Sequence, residues 1–225
     1  MILAVHAIPE ADRLAALHDR IALLEWRDGR ETAGSVAREV KRNEQAVMGS
    51  TAGRSLADEI SHILWDHPVI RAAAQPRRFS PLLISRTVAG GGYGAHVDNA
   101  LMGRGEKRLR TDLSFTLFLT PPEEYEGGEL VIHAAGTTQT VKGEAGHLVL
   151  YPSGSIHEVR PVTRGTRIVC VGWIESVIAD ATQREMLFDL ENLRTSLRAQ
   201  LPGQSAELLT LDKSIANLLR MWARP

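Results

Sequence analysis

Gly90-Gly91-Gly92-Tyr93-Gly94-Ala95-His96-Val97-Asp98-Asn99 places a histidine and a carboxylate two residues apart, straight after a run of glycines. Read as an extended strand, this stretch sends residues i and i+2 to the same face, so His96 and Asp98 can grip one metal ion together. A third ligand has to come from elsewhere in the chain. The best-placed candidate is His157, where the apolar strand Leu148-Val149-Leu150-Tyr151 runs through Pro152-Ser153-Gly154-Ser155-Ile156 to a histidine.

Outward from these two segments, from Phe79 to about Trp173, short β-branched or apolar runs are separated by Gly, Pro and Asp clusters. That pattern belongs to an all-β sandwich or barrel. The runs cover residues 82–88, 93–98, 111–120, 129–133, 139–141, 147–151, 156–162 and 166–173, and eight of them suit a jelly roll. Glu123-Glu124-Tyr125-Glu126-Gly127-Gly128 reads as a surface loop ending in a tight turn. On the N-terminal side, Leu14, Leu17, Ile21 and Leu24 predict a packing helix over 9–26. Residues 31–43 read as strand or loop, and a second helix is expected over 55–65 with Ser55 as its N-cap. On the C-terminal side, Val177, Met186, Leu187, Leu190, Leu193 and Leu197 mark a long amphipathic helix that breaks at Pro202-Gly203, with a last helix over 206–222. The expected class is α+β, a β core buttressed by helices. Its parts are 1–78 as a mixed N-terminal buttress, 79–176 as the jelly-roll core and 177–225 as a helical extension.

The 225 residues suffice for one well-buried core. With 26 basic against 27 acidic residues the net charge is -1, so no overall field draws the chain to nucleic acid or a membrane surface. No apolar run reaches the roughly 20 residues of a membrane span, and the N-terminus lacks the features of a signal peptide. A cytoplasmic location is expected. The lone cysteine, Cys170, lies in the apolar run Ile168-Val169-Cys170-Val171 and reads as a buried, unreactive strand thiol.

Two histidines and one carboxylate make the facial triad of non-haem iron(II) oxygenases, which leaves coordination positions open. Zinc accepts the same ligands. Of the other histidines, His6, His18, His62 and His67 read as solvated or capping residues, and His133 and His147 as rim residues at strand ends. Arg167 opens an otherwise apolar strand ten positions after His157. A permanently charged forked donor there needs a partner, and a carboxylate matches it bidentately.

The order His96-x-Asp98, His157, Arg167 resembles the iron(II)- and 2-oxoglutarate-dependent dioxygenases of the prolyl 4-hydroxylase type. More closely, Arg110-Thr111-Asp112-Leu113-Ser114, Thr116-Leu117-Phe118-Leu119, Gly127-Gly128-Glu129-Leu130 and Leu148-Val149-Leu150-Tyr151-Pro152-Ser153 are similar to the bacterial PKHD-type hydroxylases. The likeness runs from about Trp26 to the C-terminus and includes Leu218-Leu219-Arg220-Met221-Trp222. It implies a double-stranded β-helix, iron(II) held by His96, Asp98 and His157, and the distal carboxylate of 2-oxoglutarate held by Arg167. It also implies O2 as oxidant, succinate and CO2 as products, and L-ascorbate as the reductant for iron left ferric. Asp98 favours hydroxylation, since related halogenases carry a small residue there. One departure stands out: Thr87 occupies the place of a common tyrosine nine residues before the first histidine, so that contact is lost or passes to Tyr93 or Tyr151.

The expected activity is hydroxylation of a small-molecule or protein substrate. The rivals are a non-catalytic sensor of iron, oxygen or 2-oxoglutarate on the same fold, and a zinc hydrolase on a cupin-like barrel. The C-terminal apolar stripe is longer than one barrel face needs, which suggests a homodimer contact.

Overall fold

In the computed structural model, residues 1–32, 35–134 and 136–224 are described. The N-terminal part runs β1 (Leu3–His6), α1 (Ala11–Ala22), β2 (Trp26–Asp28), α2 (Ser35–Val40), β3 (Lys41–Arg42), β4 (Glu44–Ala46), α3 (Thr51–Asp66), α4 (Pro68–Ala74) and β5 (Pro76–Phe79). It continues through β6 (Leu83–Val88), β7 (Gly92–His96), β8 (Leu101–Met102), β9 (Leu109–Arg110), β10 (Leu113–Phe118), β11 (Tyr125–Gly127) and β12 (Leu130–Ala134). The last elements are β13 (Thr137–Val141), β14 (His147–Pro152), β15 (Ile156–Val159), β16 (Val162–Ser176), α5 (Ala181–Arg198) and α6 (Ala206–Trp222).

The strand order β1-β14-β10-β16-β6-β4-β2, with β5 and β11 also paired to β16, makes a nine-stranded antiparallel sheet. A second antiparallel sheet has five strands in the order β13-β12-β15-β7-β3, and β8 and β9 form a separate ribbon. Side chains alternate between faces along a strand, and β10, at the centre of the large sheet, buries both of its faces. Its Phe115 and Leu117 join Leu150 and Cys170 in a core against Leu17 and Ile21 of α1, Leu56, Ile60 and Leu64 of α3, and Ile70 of α4. On the other face Phe118, Val149, Tyr151 and Val169 meet Leu130 and Ile132 of the small sheet. Full burial of such a side chain is worth about 1.5–3 kcal/mol. The fold is therefore mixed α/β, a helix layer on a large antiparallel sheet with a smaller sheet opposite. No described helix is long and apolar enough to cross a membrane.

Several local expectations change. Residues 31–43 are largely helical, with α2 leading into the short strand β3, while Ala33 and Gly34 lie outside the described residues. The second N-terminal helix starts earlier than expected, at Thr51, and its cap is Ser50. Residues 123–128 are not a free loop: β11 pairs with β16, and Tyr125 is buried. Burial pushes the Cys170 thiol pKa up, in keeping with an inert core residue. At the C-terminus, much of the long apolar stripe is used within the helical pair, where Ile178, Leu187 and Ile215 form a third core with Leu190, Leu218 and Trp222.

Candidate metal centre and cosubstrate cavity

β7 ends at His96, so Asp98 lies in the loop just beyond the strand rather than one pleat further along it. The pair still converges, because the loop is pinned from the far side. Thr111 Oγ1 donates to the Asn99 carbonyl at 2.6 Å, and Ser114 Oγ donates to Asp98 Oδ2 at 2.6 Å. His157 on β15 stands directly opposite His96 in the antiparallel register, and such cross-strand partners share a face.

Each imidazole is oriented by its own backbone. His96 Nδ1 lies 2.8 Å from the Gly94 carbonyl and His157 Nδ1 3.0 Å from the Ser155 carbonyl. A carbonyl can only accept, so both Nδ1 atoms carry the proton and both Nε2 lone pairs are left for a metal. His96 Nε2 is 4.0 Å from Asp98 Oδ1, and His157 Nε2 is 3.7 Å from Oδ2. One donor atom from each residue lies within 4.8 Å of the others, and among the described residues no second such group is found. Burial, and next the neighbouring His157, hold the His96 pKa well below the usual histidine range, which keeps the ring neutral and able to ligate. Tyr93 stacks on His96 with ring centroids 3.7 Å apart, and Tyr151 presents an edge-on contact to His157 at 5.1 Å.

The triad lines a cavity of about 210 Å³ that also takes in Thr87, Tyr93, Tyr151 and Arg167. Arg167, on β16, pairs with Thr87 on β6. It is 2% exposed, and its Nε and Nη2 have no hydrogen-bond partner among the described residues. Burial lowers its pKa from the usual arginine range. Gly128 makes room for this side chain: at φ +70° a Cβ would come within 2.9 Å of Arg167 Cδ. A buried cation with donors free of partners among the described residues, beside a histidine–carboxylate triad, fits a site for a metal and a small carboxylic acid.

Comparison with known proteins agrees with that chemistry. Residues 82–175 match the 2OG-Fe(II) oxygenase superfamily, and residues 181–224 match the PKHD-type hydroxylase C-terminal domain. A PKHD-type hydroxylase of Hyphomonas neptunium is 49% identical over 222 residues, covering 99% of each chain. The chain belongs to the PKHD-type hydroxylases. A second member, from Synechococcus elongatus, is 46% identical over 99% of this chain and 100% of its own. Among solved structures, a prolyl hydroxylase from Trichoplax adhaerens in complex with a hypoxia inducible factor peptide shares the fold, with a TM-score of 0.59 at 13% identity over 82% of this chain and 86% of that one. As a PKHD-type hydroxylase the protein is an iron(II)- and 2-oxoglutarate-dependent dioxygenase.

The hydroxylase site also contains residues that the sequence did not single out. Lys41, 6% exposed on β3, faces the same cavity with its Nζ 5.2 Å from the Tyr93 ring centroid. Burial pulls its pKa down to about 8 against the opposing influence of Asp98 and then Asp28. Ser114 and Ser153 stand behind Asp98. Tyr125 is buried beside Arg167, and both crowd the space over Gly128. They share no sequence signal: Ser114 sits inside an apolar run, whereas Lys41, Tyr125 and Ser153 lie in polar stretches where nothing marks them as buried. Arg110 is paired with Asp112, its Nε donating to Oδ1 at 2.6 Å. The remaining histidines lie elsewhere: His67 caps α4, and His6 stacks on His147.

Proposed function

We propose that this hydroxylase binds iron(II) through His96, Asp98 and His157, on a core that is a double-stranded β-helix, and that Arg167 takes the distal carboxylate of 2-oxoglutarate. The observation that carries the reading is the buried Arg167 guanidinium, whose Nε and Nη2 have no partner among the described residues, in the cavity that the triad lines. A buried, unsatisfied charge is costly unless a ligand completes it, and a carboxylate does so with two parallel hydrogen bonds. When bound, iron supplies the activation of O2 that couples oxidation of 2-oxoglutarate to succinate and CO2 with hydroxylation of a substrate C–H bond.

The chain's own residues bind, orient and exclude. The backbone-held Nδ1 protons of His96 and His157 keep their Nε2 atoms aimed at the ion. Thr87, 3% exposed and opposite Arg167, adds a hydroxyl at the cosubstrate end, in the place that a longer tyrosine commonly fills. Tyr93 and Tyr151 wall the ligands with aromatic rings that limit access of water. Ascorbate serves to return oxidised metal to the ferrous state. The hydroxylated substrate is a small molecule or a protein segment entering between the two sheets.

The test begins without oxygen. Apo-protein mixed with iron(II) and 2-oxoglutarate is expected to show the visible charge-transfer band of a chelated keto acid, then to release succinate on admission of air. Asp98→Ala should lose both. Zinc retention with no band would favour the hydrolase reading, and a band that never yields succinate would favour a sensor.

A further inference from the structure

We propose that Ser114, backed by Ser153, is a positioning residue that selects which oxygen of Asp98 is left for the metal. The inference rests on the triad reading above. Ser114 Oγ is 2.6 Å from Asp98 Oδ2 and 2.7 Å from Ser153 Oγ, and both serines are 2% exposed. An ionised carboxylate only accepts, and a serine has one proton to give. Ser114 therefore donates to Asp98, and Ser153 donates to Ser114. The two bonds form a one-way chain of hydroxyls ending on the carboxylate, an arrangement in which each bond polarises the next.

The consequence is directional. Both oxygens face a histidine nitrogen, Oδ1 at 4.0 Å from His96 Nε2 and Oδ2 at 3.7 Å from His157 Nε2, so what sets them apart is the Ser114 bond: it engages Oδ2 and leaves Oδ1 clear of Ser114 for the ion. A carboxylate held in this way offers one oxygen rather than two, which preserves the open positions that the cosubstrate and oxidant need. Burying a serine in a strand whose other residues are packed on both faces is costly unless the hydroxyl is used. Opposite Ser114 in the register stand Tyr151 and Trp173, and the partners of its hydroxyl are Asp98 and Ser153 instead. The hydroxyl's use is the Asp98 bond. Thr111, three residues earlier, holds the same loop by its backbone, with its N–H donating to the Ala100 carbonyl at 3.1 Å. Loop position and carboxylate rotation thus have separate anchors.

The experiment is a cobalt(II) titration of the apo full-length protein without 2-oxoglutarate, read by affinity and by the d–d spectrum. Loss of such an outer partner costs about 10–100-fold in metal affinity. Ser114→Ala is expected to weaken cobalt by that factor and to alter the spectrum, while Ser114→Thr, which keeps the hydroxyl, restores both. Ser153→Ala should weaken binding by a smaller factor in the same direction. Apo melting temperatures separate this from loss of the fold. Wild-type affinity and spectrum in Ser114→Ala, or no recovery in Ser114→Thr, would overturn the proposal. Should Ser114→Ala not fold, Ser114→Thr and Ser153→Ala decide: a Ser153→Ala protein that binds like wild type overturns it. A wild-type protein that takes up no cobalt would instead sink the triad reading itself.

Discussion

Arg167 brings a permanent charge to a position that is 2% exposed, where its Nε and Nη2 find no acceptor among the described residues. Hydrogen bonds to charged groups are worth about 1.5–3 kcal/mol, so Arg167→Ala should raise the KM for 2-oxoglutarate about 10–100-fold. Succinate assays over a range of cosubstrate concentrations measure this, with cobalt affinity in the absence of 2-oxoglutarate expected to stay near wild type. An unchanged KM would remove Arg167 from the cosubstrate site. At this scale much of the candidate site was legible, in that the four residues singled out line one cavity. His96 and Asp98 announced themselves by spacing, and His157 and Arg167 by their order in the chain. Ser114, Lys41 and Tyr125 did not, because each acquires its role from a neighbour far away in the chain, brought close by pairing between strands, and cross-strand register is a long-range property. The reason given for the His96–Asp98 pairing also needed revision, since the strand stops at His96 and hydrogen bonds from residues 111 and 114 complete the approach.

Among the elements, α3 shows how packing moves a boundary. Ser50 caps it by accepting from Gly53 N at 3.0 Å, whereas Ser55 lies inside the helix and accepts from Arg20 Nη2 at 3.2 Å. The composition of residues 49–55 resembles a turn, which is why the sequence pattern favours Ser55. Gly53 is there for another reason: a Cβ would come within 2.8 Å of the Met48 backbone. Ser50→Ala is expected to cost about 1 kcal/mol, and Ser55→Ala to stay within about 0.5 kcal/mol. Urea unfolding of the two variants checks the assignment, and the reverse order would mean that the helix begins at Ser55. The two C-terminal helices teach a related lesson. Their apolar residues read as surplus for one face; Val177, Leu187 and Leu190 are used between α5, α6 and the segment around Ile178, while Met186 and Leu193 stay about half exposed.

For the whole molecule, the buried charge in the cavity sets a pH dependence of stability. The Lys41 pKa is about 8 in the folded protein, against about 10.4 in an unfolded chain. Between these values the unfolded state binds more protons, so this residue makes stability rise with pH. Below about pH 8 both states are protonated and the full cost of burying the ammonium is present; above the unfolded value it is gone. The contribution amounts to about 3 kcal/mol at most. Buried Cys170 and Tyr151 act in the opposite sense, because burial raises their pKa values. The comparison with Lys41→Met isolates the lysine. Chemical denaturation of the apo-protein from pH 7.5 to 10.5 should show wild type gaining on the variant as pH rises, and parallel curves would mean that Lys41 is not a buried ammonium.

The sequence alone determined the β centre with helices on either side, pointed to His96, Asp98 and His157 as candidate ligands and marked Arg167 as a charge in an apolar run. These are local properties: the period of apolar residues, the spacing of a dyad and the mismatch of a charge in an apolar run. Only the tertiary structure decided how fifteen residues of β16 serve β5, β6, β10 and β11 at once, and which groups look into the cavity between the sheets. It also decided that a buried hydroxyl chain stands behind Asp98. Each of those depends on register between strands far apart in the chain, and register is settled by burial of whole faces rather than by any one segment.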